Sequence, residues 1–181
     1  MRPEPWLQLS SETVFEHKWY TVRRDACELP GGLVIDDYLV AVRPDYALVV
    51  AVTLADELVL VRQWKQGVRE ITLELPGGVV SAEAPGAGAR RELAEETGYV
   101  AGELVSLGGG PVDPSKETNR VHYFLAIGAE PRAEQELDET EQIEVVLCPL
   151  AEVRERMRAG EIAAPSSVAG IYLALDALGR L

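Results

Sequence analysis

The feature that most restricts the fold is a short helical pattern with glycine on both sides. The spacing of apolar residues predicts a helix from about Gly86 to Thr97, and Gly98 provides its C-terminal stop. A Pro-Gly-Gly break at 76–78 ends a strand-like run just before it. The residues predicted on the buried side of this helix are Ala89, Leu93 and Ala94. The pattern therefore predicts a strand, an irregular loop and a helix in succession.

Strand-like runs lie on both sides of this helix. Runs rich in Val, Leu, Tyr and Trp precede it at 13–24, 33–42, 46–54, 57–63 and 71–75, and others follow at 104–107, 120–127 and 143–147. Helical segments at 150–159 and 166–178 end the chain, the second with a stripe of Val168, Ile171, Tyr172, Leu175 and Leu178. This order of strands and helices predicts an α+β fold in which helices sandwich a sheet.

Length and charge exclude several classes of protein. The 181 residues fit one domain of ordinary size with a small N-terminal appendage. The 17 basic and 30 acidic side chains give a net charge of −13, which repels the phosphates of nucleic acids and anionic membranes. We see no apolar stretch with the length of a signal core or a membrane span. Cys27 and Cys148 are too few for a disulfide framework, so we expect a cytoplasmic protein.

The predicted helix carries an acidic cluster. Glu92, Glu95 and Glu96 stand at i, i+3 and i+4, which places their carboxylates on one helical face. Such a face is usually a solvated surface, but here glycines and arginines surround it. Carboxylate oxygens are the ligands that Mg²⁺ or Mn²⁺ prefers, particularly where substrate phosphates complete the octahedron. The cluster therefore predicts a divalent metal site.

Residues 77–99, GGVVSAEAPGAGARRELAEETGY, resemble the Nudix box, G-x5-E-x7-R-E-U-x-E-E-x-G-U, in which U is a bulky aliphatic residue. The sequence fits through Gly98, and Tyr99 stands where an aliphatic residue is usual. The resemblance implies a Nudix-type α/β/α sandwich with a mixed sheet, which binds Mg²⁺, with Mn²⁺ as a substitute. By position it implies the metal ligands Glu92, Glu95, Glu96 and the carbonyl of Gly77, with Arg91 joining loop to helix and Glu83 as a supporting acid.

The flanking segments resemble the branch of ADP-ribose and nucleoside diphosphate-sugar pyrophosphatases. The similar segments are 60–65, 73–78, Pro114 and 139–145. This implies Mg²⁺-dependent hydrolysis of the pyrophosphate bond of ADP-ribose or a related nucleoside diphosphate sugar, giving a nucleoside monophosphate and a sugar phosphate. The alternatives are a Nudix enzyme for GDP-mannose, a CDP-alcohol or a dNTP, and a Nudix domain that senses nucleotides without cleaving them.

An acidic loop at 134–142 supplies further candidates for catalysis. Pyrophosphate repels hydroxide, so cations must neutralise it, and a carboxylate must then take the proton of the attacking water. We assign Glu139 as the base and Glu141 as an additional metal ligand, with Glu136, Asp138 and Glu144 as alternatives. The competing interpretation of each residue is a solvated loop acid.

Substrate-binding candidates are aromatic and basic. Aromatic rings could stack on a nucleobase and basic side chains could meet phosphates, although an aromatic residue in a strand more often belongs to the core. The candidates are Trp64, Trp19, Arg62, Lys65 and Arg120, with Tyr20 as a further aromatic residue.

The strands before Tyr46 have apolar runs with no obvious partner in a minimal Nudix sandwich. In the branch that the sequence resembles, such segments commonly form a small dimerisation sheet. We therefore predict an N-terminal strand region over 1–45, a Nudix domain over 46–181, and a homodimer.

Overall fold

The computed structural model describes residues 2–18, 20–80 and 83–181. The chain forms two compact units. The first contains Met1–Pro44 and Pro111–Arg120, and the second contains Asp45–Gly110 and Val121–Leu181.

The first unit is an antiparallel sheet of β1 (Leu7–His17), β2 (Tyr20–Glu28) and β3 (Val34–Val42). The predicted run 13–24 is split between β1 and β2, because the chain reverses between the paired residues His17 and Tyr20. Without glycine or proline at this point, the sequence carries no clear turn signal. The segment Pro111–Arg120 contacts β3 through hydrogen bonds that the backbone of Ala41 makes with Lys116 and Thr118.

The second unit is built on a mixed sheet. Its strands are β4 (Tyr46–Thr53), β5 (Glu57–Lys65), β6 (Glu70–Glu74), β7 (Gly77–Val79), β8 (Tyr99–Val100), β9 (Glu103–Pro111), β10 (Arg120–Pro131) and β11 (Ile143–Pro149). The sheet runs in the order β11-β5-β4-β10-β8, with β6 on β5, β7 on β4 and β9 on β10. Strand β10 is parallel to β4, whereas β5 and β7 are antiparallel to it.

Helices α1 (Pro85–Thr97), α2 (Val153–Arg158) and α3 (Pro165–Ala177) cover the two faces of this sheet. Alternate residues of β4 point to opposite faces. Ala47, Val49 and Ala51 pack in one core cluster with Ala89 and Leu93 of α1. Leu48, Val50 and Val52 pack in another with Ile171 and Leu175 of α3. The predicted α/β/α sandwich with a mixed sheet is confirmed.

The helices differ from the predictions in detail. Ala94 of α1 is only half-buried. Tyr172 of α3 is exposed because the buried stripe consists of Ile171, Ala174 and Leu175, which leaves the neighbouring position outside it. In the part of the chain that is described, every helix falls short of the length and apolar character needed to cross a membrane.

Candidate active site

Helix α1 ends where its sequence predicts, at a glycine. Gly98 adopts a left-handed conformation with φ of 71°, and its N–H donates to the carbonyl of Ala94 at 2.8 Å. A Cβ atom at this position would collide with the carbonyl oxygen of Ala133. Glycine is therefore required both for the turn and for the close approach of the segment that leads into the acidic loop.

Arg91 joins the loop before α1 to the acidic face of the helix. Its guanidinium donates to Glu83 Oε1 at 2.9 Å, to Glu95 Oε2 at 2.7 Å and to the carbonyl of Val79 at 3.3 Å. It also pairs with Glu92 Oε1 at 2.9 Å. The hydrogen bond to Glu83 is the largest of the effects that raise the pKa of Arg91. Arg91 thus contacts both the residues before α1 and the acidic face of the helix.

Glu96 is a buried carboxylate at the centre of the site. Glu96 is only 6% exposed, and its Oε2 accepts a hydrogen bond of 2.7 Å from the N–H of Gly77. The pKa of Glu96 is raised to about 7, chiefly by burial. The hydrogen bond from Gly77 and the charge of Lys65 oppose this rise, whereas the negative charges of Glu92 and Glu141 contribute to it. The fold thus buries the carboxylate of Glu96 beside other negative charges, whereas Glu92 and Glu95 are paired with Arg91.

Gly78 allows β7 to lie directly against the acidic face of α1, and Gly77 allows it to lie close to β4. A Cβ atom on Gly77 would overlap the carbonyl oxygen of Ala47, and one on Gly78 would lie 2.5 Å from the carboxylate carbon of Glu92. The Pro-Gly-Gly break therefore ends a strand and also makes room for these side chains.

The acidic loop lies within electrostatic reach of the helix. Burial raises the pKa of Glu92, Arg91 opposes the shift, and the charges of Glu95 and Glu141 add to it. Within the loop, Glu141 Oε2 accepts a hydrogen bond of 3.0 Å from the N–H of Asp138. Glu139 is exposed in the same loop. The negative charge of Glu141 thus acts on Glu92 and Glu96, and its role as a metal ligand stays a prediction.

Among residues 2–18, 20–80 and 83–181, no group of three or more His, Cys, Asp or Glu side chains is arranged to hold a metal ion as it stands. The carboxylates of Glu92 and Glu95 are paired with Arg91, and that of Glu96 accepts from Gly77.

The loop is fastened to the helix by a residue that sequence reasoning missed. The side-chain nitrogen of Gln135 donates to the carbonyls of Glu96 at 2.5 Å and Ile143 at 3.2 Å. The N–H of Glu136 donates to the carbonyl of Glu95 at 2.9 Å. The sequence offers only an indirect signal for this contact. The last carbonyls of any helix need donors from outside it, but the sequence does not say which residue supplies them.

The alternation of β5 separates the predicted substrate-binding residues. Lys65 shares the face of Val59, which packs with α1, and it pairs with Glu74 at 3.4 Å. Arg62 and Trp64 share the opposite face with Leu60, which packs with α3. The structure therefore brings Lys65 to the side of the carboxylates and leaves Arg62 and Trp64 on the other.

Arg62 and Trp64 have other neighbours. Arg62 pairs with Glu144 of β11 at 2.8 Å, so this alternative to Glu139 and Glu141 also lies on the far face. The indole N–H of Trp64 donates to Gln66, and both predicted residues line an open groove of about 500 Å³. Arg120 is exposed at the start of β10 and belongs to the first unit, whereas Trp19 lies outside the described residues.

Comparison with known proteins agrees with this architecture. The NUDIX domain family matches residues 42–166, and the N-terminal domain of nucleoside diphosphate sugar hydrolases matches residues 6–40. The ADP-ribose pyrophosphatase of Bacillus subtilis (strain 168) is 31% identical over 85% of this chain and 84% of its own length. The ADP-ribose pyrophosphatase of Mycobacterium tuberculosis is 29% identical over 90% of this chain and 80% of its own length.

A solved structure supports the fold independently. The crystal structure of an ADP compounds hydrolase matches 100% of both chains with a TM-score of 0.88 at 24% identity. With a family match over most of its length and a Nudix box on α1, the chain belongs to the Nudix hydrolase family.

Proposed function

We propose that this protein hydrolyses the pyrophosphate bond of ADP-ribose or a related nucleoside diphosphate sugar in a Mg²⁺-dependent reaction. The products would be a nucleoside monophosphate and a sugar phosphate. The observation that carries the proposal is the buried carboxylate of Glu96, which lies beside Glu92 and within reach of Glu141. A binding site for a doubly charged cation and a phosphate ester explains why a fold would keep a carboxylate whose ionisation is disfavoured by burial and by neighbouring negative charges.

The donor set fits a hard divalent cation. It consists of oxygen atoms, and within it the pKa values of Glu92 and Glu96 are raised by burial and by neighbouring negative charges, which a bound cation would offset. The residues that would hold it are Glu92, Glu95, Glu96, Glu141 and the carbonyl of Gly77. When bound, Mg²⁺ supplies neutralisation of the phosphates and a lower pKa of the attacking water. Mn²⁺ has the same preference for oxygen ligands.

The protein's own side chains would do the remaining work. Arg91 and Glu83 hold the acidic face of the helix in place through their ion pair of 2.9 Å. Lys65 adds positive charge on the face where an anionic pyrophosphate would lie. Glu139, exposed in the acidic loop, would accept the proton of the attacking water. Arg62, Trp64, Arg120 and Trp19 remain predictions as substrate contacts.

ADP-ribose is the first substrate to test because two relatives that match most of this chain bear the name ADP-ribose pyrophosphatase. A nucleotide-sensing domain without catalysis is the less favoured alternative. Such domains tend to lose carboxylates of the box, and here Glu92, Glu95 and Glu96 are all present.

The proposal is tested by product analysis with the full chain. ADP-ribose, GDP-mannose, NADH, dinucleoside polyphosphates and dNTPs are incubated separately with Mg²⁺, and the products are separated by ion-exchange chromatography. We expect AMP and ribose 5-phosphate from ADP-ribose, no product in EDTA, and recovery when Mg²⁺ is restored. No turnover of any compound would contradict the proposed activity, and faster turnover of GDP-mannose would replace the substrate assignment alone.

We also propose a cytoplasmic homodimer with a dimerisation region over 1–45 and a catalytic domain over 46–181. The unpaired Cys27 and Cys148 support a reducing compartment. The exposed apolar residues of β1 support an interface in the N-terminal region.

A further inference from the structure

We propose that Gln135 is a positioning residue that closes residues 136–142 of the acidic loop and fastens them to the C-terminal end of α1. In this role it sets where Glu139 and Glu141 stand relative to the carboxylates of the helix. The inference rests on the proposed function, because it assigns these loop acids to the reaction.

The first step of the argument is the hydrogen bonding at the end of α1. The last carbonyls of a helix have no partner within it and must find donors elsewhere. That of Ala94 accepts from the N–H of Gly98, that of Glu95 from the N–H of Glu136, and that of Glu96 from the side chain of Gln135. Gln135 and Glu136 therefore cap the last turn of α1, and the side chains of that turn include the proposed ligands Glu95 and Glu96.

The second step is that Gln135 also reaches the far end of the loop. The same side-chain nitrogen donates to the carbonyl of Ile143, the buried first residue of β11. A carboxamide nitrogen has two hydrogens, and here they serve the carbonyl of Glu96 in α1 and the carbonyl of Ile143 just after the loop. The side chain of Gln135 thus links the two residues that flank 136–142. This hydrogen bond offsets part of the conformational entropy that is lost when the loop is ordered.

The third step connects this closure to the chemistry. Glu139 and Glu141 both lie within the residues that Gln135 closes, and Glu141 Oε2 accepts a hydrogen bond of 3.0 Å from the N–H of Asp138 in the same segment. A loop released at its base would spread the positions of Glu139 and Glu141. Misplacement of a catalytic group by roughly 1 Å can reduce a rate by about 100-fold.

Two substitutions of Gln135 separate the donor from the shape of the side chain. Q135M keeps the length but cannot donate, and Q135E keeps the shape but places an oxygen opposite two carbonyls. Q142M is the matched control, since Gln142 is an exposed glutamine of the same loop. With Mg²⁺ and the best substrate of the panel above, we expect kcat to fall by about 10- to 100-fold in Q135M and Q135E. We expect KM to change little in both and Q142M to match the wild type.

Hydrogen exchange provides a readout that needs no substrate. In Q135M, the amides of residues 137–142 should exchange faster than in the wild type, while those of β4 and β5 keep their protection. Faster exchange throughout the protein would mean a general loss of stability and would overturn the positioning role. Unchanged exchange in the loop, a wild-type kcat in Q135M, or an equal loss in Q142M would overturn it too.

The failure of this inference can be told apart from failure of the proposed function. If the wild type hydrolyses no compound of the panel, the proposed function fails, and the effect of Gln135 on catalysis fails with it. If the wild type is active and Q135M is equally active, only the inference about Gln135 is contradicted.

Discussion

Burial in the folded protein opposes ionisation of the Glu96 carboxylate. Its folded-state pKa of about 7 lies above the ordinary value of 4.5, mainly because of burial. The folded protein therefore binds this proton more tightly than the unfolded chain does. Without metal, this residue lowers the free energy of unfolding as the pH rises from about 4.5 to about 7, and the full cost remains above that range.

We predict that E96Q abolishes Mg²⁺-dependent turnover yet raises the stability of the metal-free protein at pH 8. Glutamine can still accept the hydrogen bond from Gly77, but it carries no charge to desolvate. The expected gain in the free energy of unfolding is about 1–3 kcal/mol. Urea unfolding in EDTA measures it at pH 8 and at pH 5, where the difference should shrink because Glu96 is protonated in the folded protein.

The wild-type protein under the same conditions is the control for E96Q. A variant that is less stable than the wild type at pH 8 in EDTA would contradict the electrostatic account of Glu96. Unchanged turnover with Mg²⁺ would contradict its assignment as a metal ligand.

We predict that R91K lowers both stability and turnover, whereas R90K does not. Arg91 uses its planar fork to contact Glu83, Glu92 and Glu95 at once, and a lysine ammonium cannot reproduce that geometry. Arg90 is the adjacent exposed arginine and donates to the carbonyl of Ala101. We expect R91K to lose about 1–2 kcal/mol in urea unfolding, and equal stability of the two variants would contradict the joining role.

At the level of elements, the turn that ends α1 controls how closely the loop approaches the helix. We predict that G98A destabilises the protein by about 2 kcal/mol or more, because alanine must adopt a positive φ and also meet the carbonyl of Ala133. The matched control is G160A. Gly160 has φ of 77° with open space around a Cβ atom, so it reports the cost of the conformation alone.

The comparison of G98A with G160A is made by urea unfolding. Equal losses in the two variants would show that the contact with Ala133 is unimportant. We also expect G98A to speed hydrogen exchange in residues 133–142, since the N–H groups of Arg132 and Ala133 both donate to the carbonyl of Gly98.

The elements that the sequence predicted well are those with strong local signals. The predicted helix 86–97 is observed as Pro85–Thr97, because apolar spacing and Gly98 define both its face and its end. The turn between His17 and Tyr20 was missed for lack of a glycine or proline. The cap from Gln135 was missed because its partners are backbone carbonyls, which any sequence provides.

Strand alternation explains a different gap in the prediction of the site. The sequence of β5 establishes that Lys65 and Trp64 face opposite ways, but it does not reveal which face α1 covers. That assignment depends on the packing of Val59 with α1 and of Leu60 with α3. Long-range packing therefore decides which of the predicted side chains can meet the carboxylates.

At the level of the whole molecule, the N-terminal sheet leaves apolar side chains in solvent. The exposed residues of the segment up to the end of β1 include Trp6, Leu7, Leu9, Val14 and Phe15. A small sheet of this kind gains stability when its apolar surface is covered. We predict that the full chain is a homodimer with twice the chain mass of 19.7 kDa when measured by light scattering.

F15E tests this interface, because it places a charge on a residue that is 53% exposed in the isolated chain. Burying that charge at an interface is costly, so we expect a monomer at micromolar concentration. L54E is the control, since Leu54 is 87% exposed in the second unit and the substitution also replaces an apolar side chain with a carboxylate. A monomeric wild type, or an F15E variant that remains dimeric, would contradict the predicted interface.

Salt separates the apolar contribution to this dimer from its electrostatic cost. Each chain carries a net charge of −13, so association brings two strongly negative molecules together. Raising the salt concentration from about 0.05 M to 0.5 M screens that repulsion and should lower the dissociation constant of the dimer. An interface held by ion pairs would respond in the opposite direction, so the sign of the salt effect, measured by sedimentation at several protein concentrations, distinguishes an apolar sheet contact from a charged one.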